Sequence, residues 1–447
     1  MKREKNETFE EKKLPIKTLL IIGIITIGAS IFGFFESSFF NTYIEHVLEG
    51  SYFEISLMVS VSATFGLIFL LVFGVLSDNT RSKRFGRRKP YIFIGGLVAG
   101  TAMILYGFSP SFFWCFMLDA IIIGVFSNAV YAGQRALVPD LIDIEQRGKA
   151  NSIVTIIGSV GTITPIILVL SVNEAFGVQR GGSTIITQEG HIFALSFGGL
   201  SIILIAIIAL FFLKDVPLSE LPPPKGFVED LKESFQVEEL KKNTNFFKMV
   251  LAMTIFNCGF NVIKPFLFNY IFSLGLSTIM LVVALGLLVP IIISITYGLG
   301  IAADKYGRKK FVAPVILVSC IGFFMIPFFM PTDPFSIAML IIAIILIFLT
   351  TLSLQVPLMT WQQDLLPEGK KGQFIGILNI ISTVSQFAGI LGGVVADNYG
   401  LVWIFAIAPI FLLISIPFFL LIQETLPDEF IEDIHLIEKR KISGKEG

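Results

Sequence analysis

Three charged residues interrupt otherwise apolar runs of this sequence: Glu36, Asp119 and Lys264. A charge at the centre of a membrane helix costs about 2.5 to 3.5 kcal/mol, so such residues are candidates for function. Asp119 lies about eight residues, or ~12 Å, inside its run. Burial favours the neutral form of a carboxylate, so a buried aspartate that meets each side of a membrane in turn can load and release a proton. We therefore predict that Asp119 is a cation-coupling residue. The alternative is a purely structural role, in which Lys264 neutralises the charge of Asp119.

Glu36 and Lys264 lie about six to ten residues from the ends of their runs. They could pair across a cavity, where they would hold a gate or bind a charged group of a substrate. Extension of both side chains to the membrane surface is the competing interpretation. Pro265 follows Lys264, and because proline removes a helical hydrogen bond, a kink is predicted there.

Amide side chains form a second set of candidate ligands. With Glu36 and Lys264, we predict that the substrate cavity is lined by Asn128, Asn257, Asn261 and Gln355. Asn257 and Asn261 are four residues apart and so share one helix face. These groups suit a hydroxyl-rich solute, whereas hydrogen bonding between helices is the ordinary structural role of such residues in a membrane.

The elements that must position these residues are membrane helices. Hydrophobic residues make up 54% of the 447 residues and charged residues 15%, with a mean hydropathy of +0.82, which excludes an ordinary soluble protein. A helix needs about 20 apolar residues to cross a bilayer. Twelve runs qualify, which predicts an all-α integral membrane protein: 18–42, 55–77, 90–109, 111–138, 150–172, 191–213, 246–273, 277–302, 311–330, 335–361, 373–396 and 401–423.

Basic residues are distributed unevenly about these runs. Of the 33 lysines and arginines, all but Arg180 and Lys264 lie in the two tails, in the central polar stretch, or in the loops after spans 2, 4, 8 and 10. The positive-inside rule therefore predicts cytoplasmic termini and an even number of spans. Phe227, Leu231 and Phe235 recur every four residues in the central stretch, which favours a short amphipathic helix; a solvated tether is equally compatible.

Two cytoplasmic motifs recur in both halves of the sequence. Gly74 and Asp78 precede a Gly-Arg-Arg-Lys run, and Gly300 and Asp304 precede Gly-Arg-Lys-Lys. Likewise, Asp140 and Asp364 are each followed seven residues later by a basic residue and a glycine. The repeat predicts an N-terminal six-helix bundle at 1–213, a linker at 214–245, a C-terminal six-helix bundle at 246–423 and a tail at 424–447.

The Gly-x-x-x-Asp and Gly-Arg pattern resembles that of the major facilitator superfamily. The expanded loop 77–90, and Arg135 through Asn151, are similar to the glycoside–pentoside–hexuronide cation symporters and the sucrose–proton symporters. The resemblance implies two pseudo-symmetric six-helix bundles whose helices 1, 4, 7 and 10 line a cavity, and Asp119 matches the span-4 aspartate of these symporters. Span 2 lacks the paired aspartates of the sodium-coupled members, which favours protons.

The loop motifs are further candidates for function. A carboxylate at a helix end can cap a neighbouring helix or pair with arginine, and such contacts can break as two halves rock. The predicted cytoplasmic latch comprises Asp78, Arg87, Arg88, Arg135, Asp140, Arg147, Asp304, Arg308 and Asp364. Fixing the topology is the simpler role for the basic members.

Taken together, these patterns predict an alternating-access symporter that moves a small solute, such as a sugar or glycoside, with protons. A proton-coupled exporter of drugs or metabolites is the alternative, because it would share the fold. HExxH, GxSxG and Walker motifs are absent from the sequence, so we expect no enzyme activity and no metal or other cofactor. We expect a monomer in the plasma membrane, with the lipid bilayer, the solute and the proton as partners and no nucleic acid.

Overall fold

In the computed structural model the chain is a bundle of membrane helices. The structure describes residues 14–143, 146–217, 219, 221, 244–365 and 383–425. Within them, eleven helices are long and apolar enough to cross a membrane. In chain order these and one shorter helix are α1 (Ile16–His46), α2 (Tyr52–Asn79), α3 (Lys89–Tyr106), α4 (Phe112–Leu141), α5 (Arg147–Phe176), α6 (Gln188–Phe212), α7 (Thr244–Ser273), α8 (Thr278–Tyr306), α9 (Lys309–Phe328), α10 (Pro334–Gln362), α11 (Ala388–Tyr399) and α12 (Leu401–Leu420).

The predicted all-α membrane fold is confirmed, and eleven predicted spans correspond to these long helices. The predicted span 373–396 begins outside the described residues, and its described part is the helical turn at 383–386 followed by most of α11. The predicted amphipathic helix of the linker also lies outside the described residues, as do both chain tails beyond 14 and 425.

The helices pack as two groups. In the first half α1 packs on α5 and α6, α2 packs on α4, and α3 packs on α4 and α6. In the second half α12 packs on α7 and α9, and α9 packs on α10. A Cβ on Gly96 would lie 2.6 Å from Ala206, so glycine lets α3 approach α6 closely.

A short hairpin, absent from the sequence-based prediction, joins α5 to α6. Its strands β1 (Gly177–Arg180) and β2 (Ser183–Ile186) are antiparallel. Gly181 and Gly182 make the turn with φ of 60° and 85°, a geometry that side chains disfavour and that suits a two-residue hairpin. We call the end of the bundle that carries this hairpin the hairpin end, and the end at which α2, α4 and α8 terminate the basic end.

Candidate functional site

A cavity of about 430 Å³ lies between the two halves. It brings Glu36, Asp119 and Lys264 to one site. The described lining comes from α1, α2, α4, α7 and the residues just before α11, and none of it comes from α10. The lining residues are Glu36, Ser37, Val59, Ser62, Ala63, Gly66, Leu67, Leu70, Asp119, Asn128, Tyr131, Arg135, Asn261, Lys264, Pro265, Thr383 and Gln386.

Each of the three charged residues lies where its helix departs from α geometry. Glu36 is in a π segment, Phe35–Phe39, and Asp119 is in another, Met117–Ile123. Lys264 begins a 3₁₀ turn that interrupts α7 at the predicted proline kink. Such segments disturb the regular hydrogen-bond ladder and are frequent at functional sites. The three helices are therefore irregular at the depth where the sequence places charge.

Asp119 is buried in the cavity wall, with 3% of its surface exposed. The Ser62 hydroxyl of α2 donates to its Oδ1 at 3.4 Å. Glu36 lines the same cavity. Among the described residues the weak Ser62 donor is the one bonded to the carboxylate, and a second carboxylate lines the same cavity, so the anion is poorly stabilised and the position is suited to holding a proton.

Glu36 and Lys264, which the sequence predicted to pair, line this cavity from opposite halves together with Tyr131. Within the described part of the chain, no ion pair within 4.0 Å joins Glu36 to Lys264, so their pairing stays a prediction. Tyr131 was not predicted, although Asn128, Tyr131 and Arg135 recur at spacings of three and four residues. That spacing marks a polar stripe along one face of α4.

The amide candidates divide into two groups. Asn128 and Asn261 line the cavity, whereas Asn257 and Gln355 are absent from its described lining. Asn128 donates to the Gly124 carbonyl at 2.8 Å, and Asn261 donates to the Ser385 hydroxyl at 2.8 Å. These amides thus help to shape the cavity as well as to line it.

The first-half network is a group of ion pairs at the basic end. Its members are Ser77, Asp78, Arg87, Arg88, Asp140 and Asp215. Arg87 bonds to Asp78 and Asp140, each at 3.0 Å. Arg88 bonds to Asp78 at 2.6 Å and to Asp140 at 2.7 Å. Together the two guanidinium groups cross-link the ends of α2 and α4 to the start of α3.

Asp215 completes this network, and the sequence interpretation missed it. Its carboxylate accepts the backbone N–H groups of Arg87 and Arg88 at 2.5 and 2.6 Å. These N–H groups lie at the start of α3, where a helix leaves donors unsatisfied. The segment after α6 is thereby tied to α3.

The second-half network repeats this arrangement. Its members are Asp304, Arg308, Lys309, Asp364, Glu424 and Thr425. Arg308 bonds to Asp364 and to the Thr425 hydroxyl, and Asp304 is 3.7 Å away. Glu424, also unpredicted, accepts the backbone N–H of Lys309 at 2.8 Å, as Asp215 does in the first half.

Seven of the nine predicted latch residues belong to these networks. Arg135 instead lies at the exposed mouth of the cavity, and Arg147 donates to the carbonyls of Pro139 and Ile142. The bonds described in both networks join residues of the same half. Residues 366–382, which lead into α11, lie outside the description, so the latch between halves stays a prediction.

The hairpin end carries hydrogen bonds that cross between the halves. Asn41 of α1 donates to the Pro265 carbonyl of α7 at 2.6 Å, and Asn269 donates to Glu45 at 2.5 Å. Asn173 of α5 donates to the Thr278 hydroxyl of α8 at 3.0 Å. The cavity is therefore closed by contacts between the halves at this end.

Comparisons with known proteins agree with this architecture. The family model described as "Major Facilitator Superfamily" matches residues 18–390 and 297–441. The structure is similar to that of the nucleoside transporter NupG, with a TM-score of 0.66 and 13% identity over 91% of this chain and 99% of that chain. The structure is also similar to that of a bacterial homolog to the human lysosomal transporter Spinster in an inward-facing, unoccupied conformation. The TM-score is 0.64 and the identity 15%, over 91% of this chain and 95% of that chain. No curated protein matches this sequence.

Proposed function

The chain belongs to the Major Facilitator Superfamily of transporters, and from that premise we propose that it carries a small hydroxylated solute by symport with protons. The observation that carries the proposal is Asp119, buried in the wall of a cavity between two halves and near Glu36. Alternating exposure of this carboxylate to the two membrane faces would let it take up a proton on one side and release it on the other.

The proton is favoured over a metal cation by the surroundings of Asp119. Hard cations are held by several oxygen ligands at once. The described contact of the carboxylate is one serine hydroxyl at 3.4 Å, and the other lining residues of α2 are Val59, Ala63, Gly66, Leu67 and Leu70. A proton requires only the carboxylate itself.

The solute is proposed from the chemistry of the lining. Asn128, Asn261 and Gln386 provide amides that both donate and accept, and Ser37 and Thr383 provide hydroxyls. Groups of this kind can both donate hydrogen bonds to hydroxyl groups and accept hydrogen bonds from them, so we propose a sugar or glycoside. The similarity of loop 77–90 to sugar–cation symporters supports this choice.

The direction in which the cavity opens follows from its closure at the hairpin end. Arg135 is exposed and lines the cavity toward the basic end. The basic loops assign that end, and with it both termini, to the cytoplasm. We therefore propose an inward-facing conformation of a monomer in the plasma membrane.

One observation favours the alternative of a proton-coupled drug or metabolite exporter. Two carboxylates, Glu36 and Asp119, line the cavity, and a carboxylate pair attracts cationic solutes. Import of a sugar and export of a cation would both use Asp119, but they would move protons in opposite directions relative to the solute.

The test uses purified protein in liposomes with a pH dye trapped inside. Addition of the transported sugar outside should acidify the lumen, and Asp119→Asn should reduce that proton flux at least about tenfold while sugar exchange persists. Glu36→Gln is the matched control, since it makes the same change in the same cavity; we expect it to alter affinity and to keep proton flux. Cationic drugs that dissipate an imposed pH gradient, with no sugar moving protons, would overturn the symporter in favour of the exporter.

A further inference from the structure

At the hairpin end, a carboxylate of the second half lies on a helix N-terminus of the first half. Asp397, near the end of α11, accepts the backbone N–H of Tyr52 at 2.8 Å and that of Phe53 at 2.9 Å. These are the first two residues of α2. Because α2 and α11 belong to different halves, this cap exists only while the halves meet at this end.

The N-terminus of α2 also has a cap within its own chain segment. Ser51 and Glu54 form a capping box: the Ser51 hydroxyl accepts the Glu54 N–H at 3.1 Å, and Glu54 accepts the Ser51 N–H at 2.9 Å. A helix start leaves four N–H groups without helical partners. The capping box does not bond the backbone N–H groups of Tyr52 and Phe53, which donate to Asp397 instead. The negative charge of Asp397 also suits the positive end of the helix dipole.

Asp397 is part of a sequence signature that occurs at the basic end as well. Gly393 through Gly400 reads Gly-Val-Val-Ala-Asp-Asn-Tyr-Gly, and Gly300 through Gly307 reads Gly-Ile-Ala-Ala-Asp-Lys-Tyr-Gly. Both helices end on a glycine with positive φ, 100° at Gly400 and 94° at Gly307. Arg308 follows the second glycine, whereas Leu401 follows the first. Asp304 therefore has a guanidinium group four residues later in the sequence, and Asp397 does not. Asp397 bonds to the start of α2 instead.

The contact around Asp397 is close. A Cβ on Gly393 would lie 2.5 Å from the Ser56 hydroxyl and 2.6 Å from the Tyr52 carbonyl, so α2 and α11 touch through glycine. Ser56 is fully buried in this contact. On the other flank of the same end, Asn173 of α5 reaches Thr278 of α8 and is 8% exposed. Any opening of the halves at this end must expose both flanks.

We propose that Asp397 is a gate residue of the transport cycle: it caps α2 when the cavity is closed at the hairpin end and releases α2 when that end opens. Loss of the carboxylate removes two charge-assisted hydrogen bonds from the closed state and none from the open state. The equilibrium therefore shifts toward opening at the hairpin end. The inference rests on the alternating-access transport proposed above, and it holds for any solute or coupling ion.

The experiment measures how fast buried cysteines react with a bulky maleimide in detergent-purified protein. The three native cysteines (Cys115, Cys258 and Cys320) are first replaced by serine, and a single reporter is then introduced as Ser56→Cys or Asn173→Cys. Asp397→Ala should speed labelling of both reporters by about tenfold, because Asp397 is exposed and the loss of a helix cap shifts an equilibrium by roughly that factor. Asp397→Asn keeps the side-chain volume and one acceptor oxygen, so it should increase the labelling rates less. It replaces the alanine variant if that variant is not monodisperse.

Asp333→Ala is the matched control. Asp333 also accepts two backbone N–H groups, from Phe335 at 3.0 Å and Ser336 at 3.1 Å, but these start its own helix α10. Its loss removes a helix cap without touching the contact between halves, so both labelling rates should stay unchanged. Faster labelling at Ser56→Cys alone would mean local fraying of α2 and would overturn the gate, as would equal effects of the two aspartates. Because no solute is used, failure of the sugar–proton assay leaves this result unaffected.

Discussion

The two networks at the basic end have equivalent positions in the repeat but differ at one basic residue. Arg87 and Arg308 both follow a glycine with positive φ, Gly86 at 76° and Gly307 at 94°. The next residue is Arg88 in the first half and Lys309 in the second. Arg88 bonds to two aspartates and to Ser77, whereas Lys309 donates to a backbone carbonyl after α12 at 2.9 Å.

The difference follows from the shapes of the two side chains. A guanidinium presents several donors in a fixed plane and can join two carboxylates, whereas an ammonium is a compact point charge on a flexible stem. The aspartates differ accordingly: the Asp140 side chain is 15% exposed and that of Asp364 is 40% exposed. The first half is therefore held at this end by two arginines that each bridge the largely buried Asp140 and the half-exposed Asp78, and the second half by one arginine on the partly exposed Asp364.

The largest effect is expected from breaking the bridge of the first half. Arg88→Ala removes three side-chain bonds of 2.5 to 2.7 Å and leaves the carboxylate of Asp140 with fewer donors. We expect the free energy of unfolding to fall by about 3 kcal/mol, at the lower end of the loss for broken buried ion pairs. Denaturant titration in mixed micelles measures it.

Arg88→Lys keeps the positive charge but removes the planar guanidinium, and it gives the first half the residue type that Lys309 provides in the second. It should restore less than half of the lost stability, since an ammonium cannot bridge both aspartates. Full recovery with lysine would show that charge alone holds the first half and that the planar guanidinium adds nothing.

A smaller loss is expected from the second half. Arg308→Ala leaves Asp364 without its guanidinium, but water can solvate that carboxylate more readily than Asp140. Asp304, 69% exposed at 3.7 Å, adds little. We expect a loss of about 2 kcal/mol. The double variant with Arg88→Ala should lose the sum of the two, because the networks share no residue; a coupling beyond about 0.5 kcal/mol would show that the halves communicate at this end.

The sequence was sufficient to predict the eleven long helices that the structure describes and to single out the arginines and aspartates that form ion pairs within each half. The helices follow from the length of apolar runs, which the bilayer dictates, and the network residues follow from the repeat. Arg135 was predicted with the latch because it lies at the end of span 4. Only the packed bundle turns it toward the cavity.

The cavity was less predictable. Asn257 shares a helix face with Asn261 but lies one turn, or ~6 Å, along the axis, and spacing alone does not give the depth of a cavity. Ser62 and Tyr131 are ordinary residues of apolar helices until α2 and α4 bring them to Asp119 and Glu36. The π segments have no sequence pattern that distinguishes them from the α-helix around them.

The smallest effect concerns the two carboxylates that neither the repeat nor the apolar runs identified. Asp215 and Glu424 follow α6 and α12, in polar stretches outside the recurring motifs, so only the folded chain shows that they cap α3 and α9. Asp215 accepts two backbone N–H groups and Glu424 accepts one. Loss of a helix cap costs about 1 kcal/mol, so Asp215→Ala should cost somewhat more than that and Glu424→Ala somewhat less.

The conservative variants Asp215→Asn and Glu424→Gln indicate how these caps act. An amide oxygen still accepts a hydrogen bond, so each should recover most of the loss if the cap works by hydrogen bonding, and only a little if the negative charge at the helix start is what matters. The same titration distinguishes the two. Equal losses for Asp215→Ala and Glu424→Ala would mean that the second N–H bond of Asp215 adds nothing, and Arg88 alone would then distinguish the two networks.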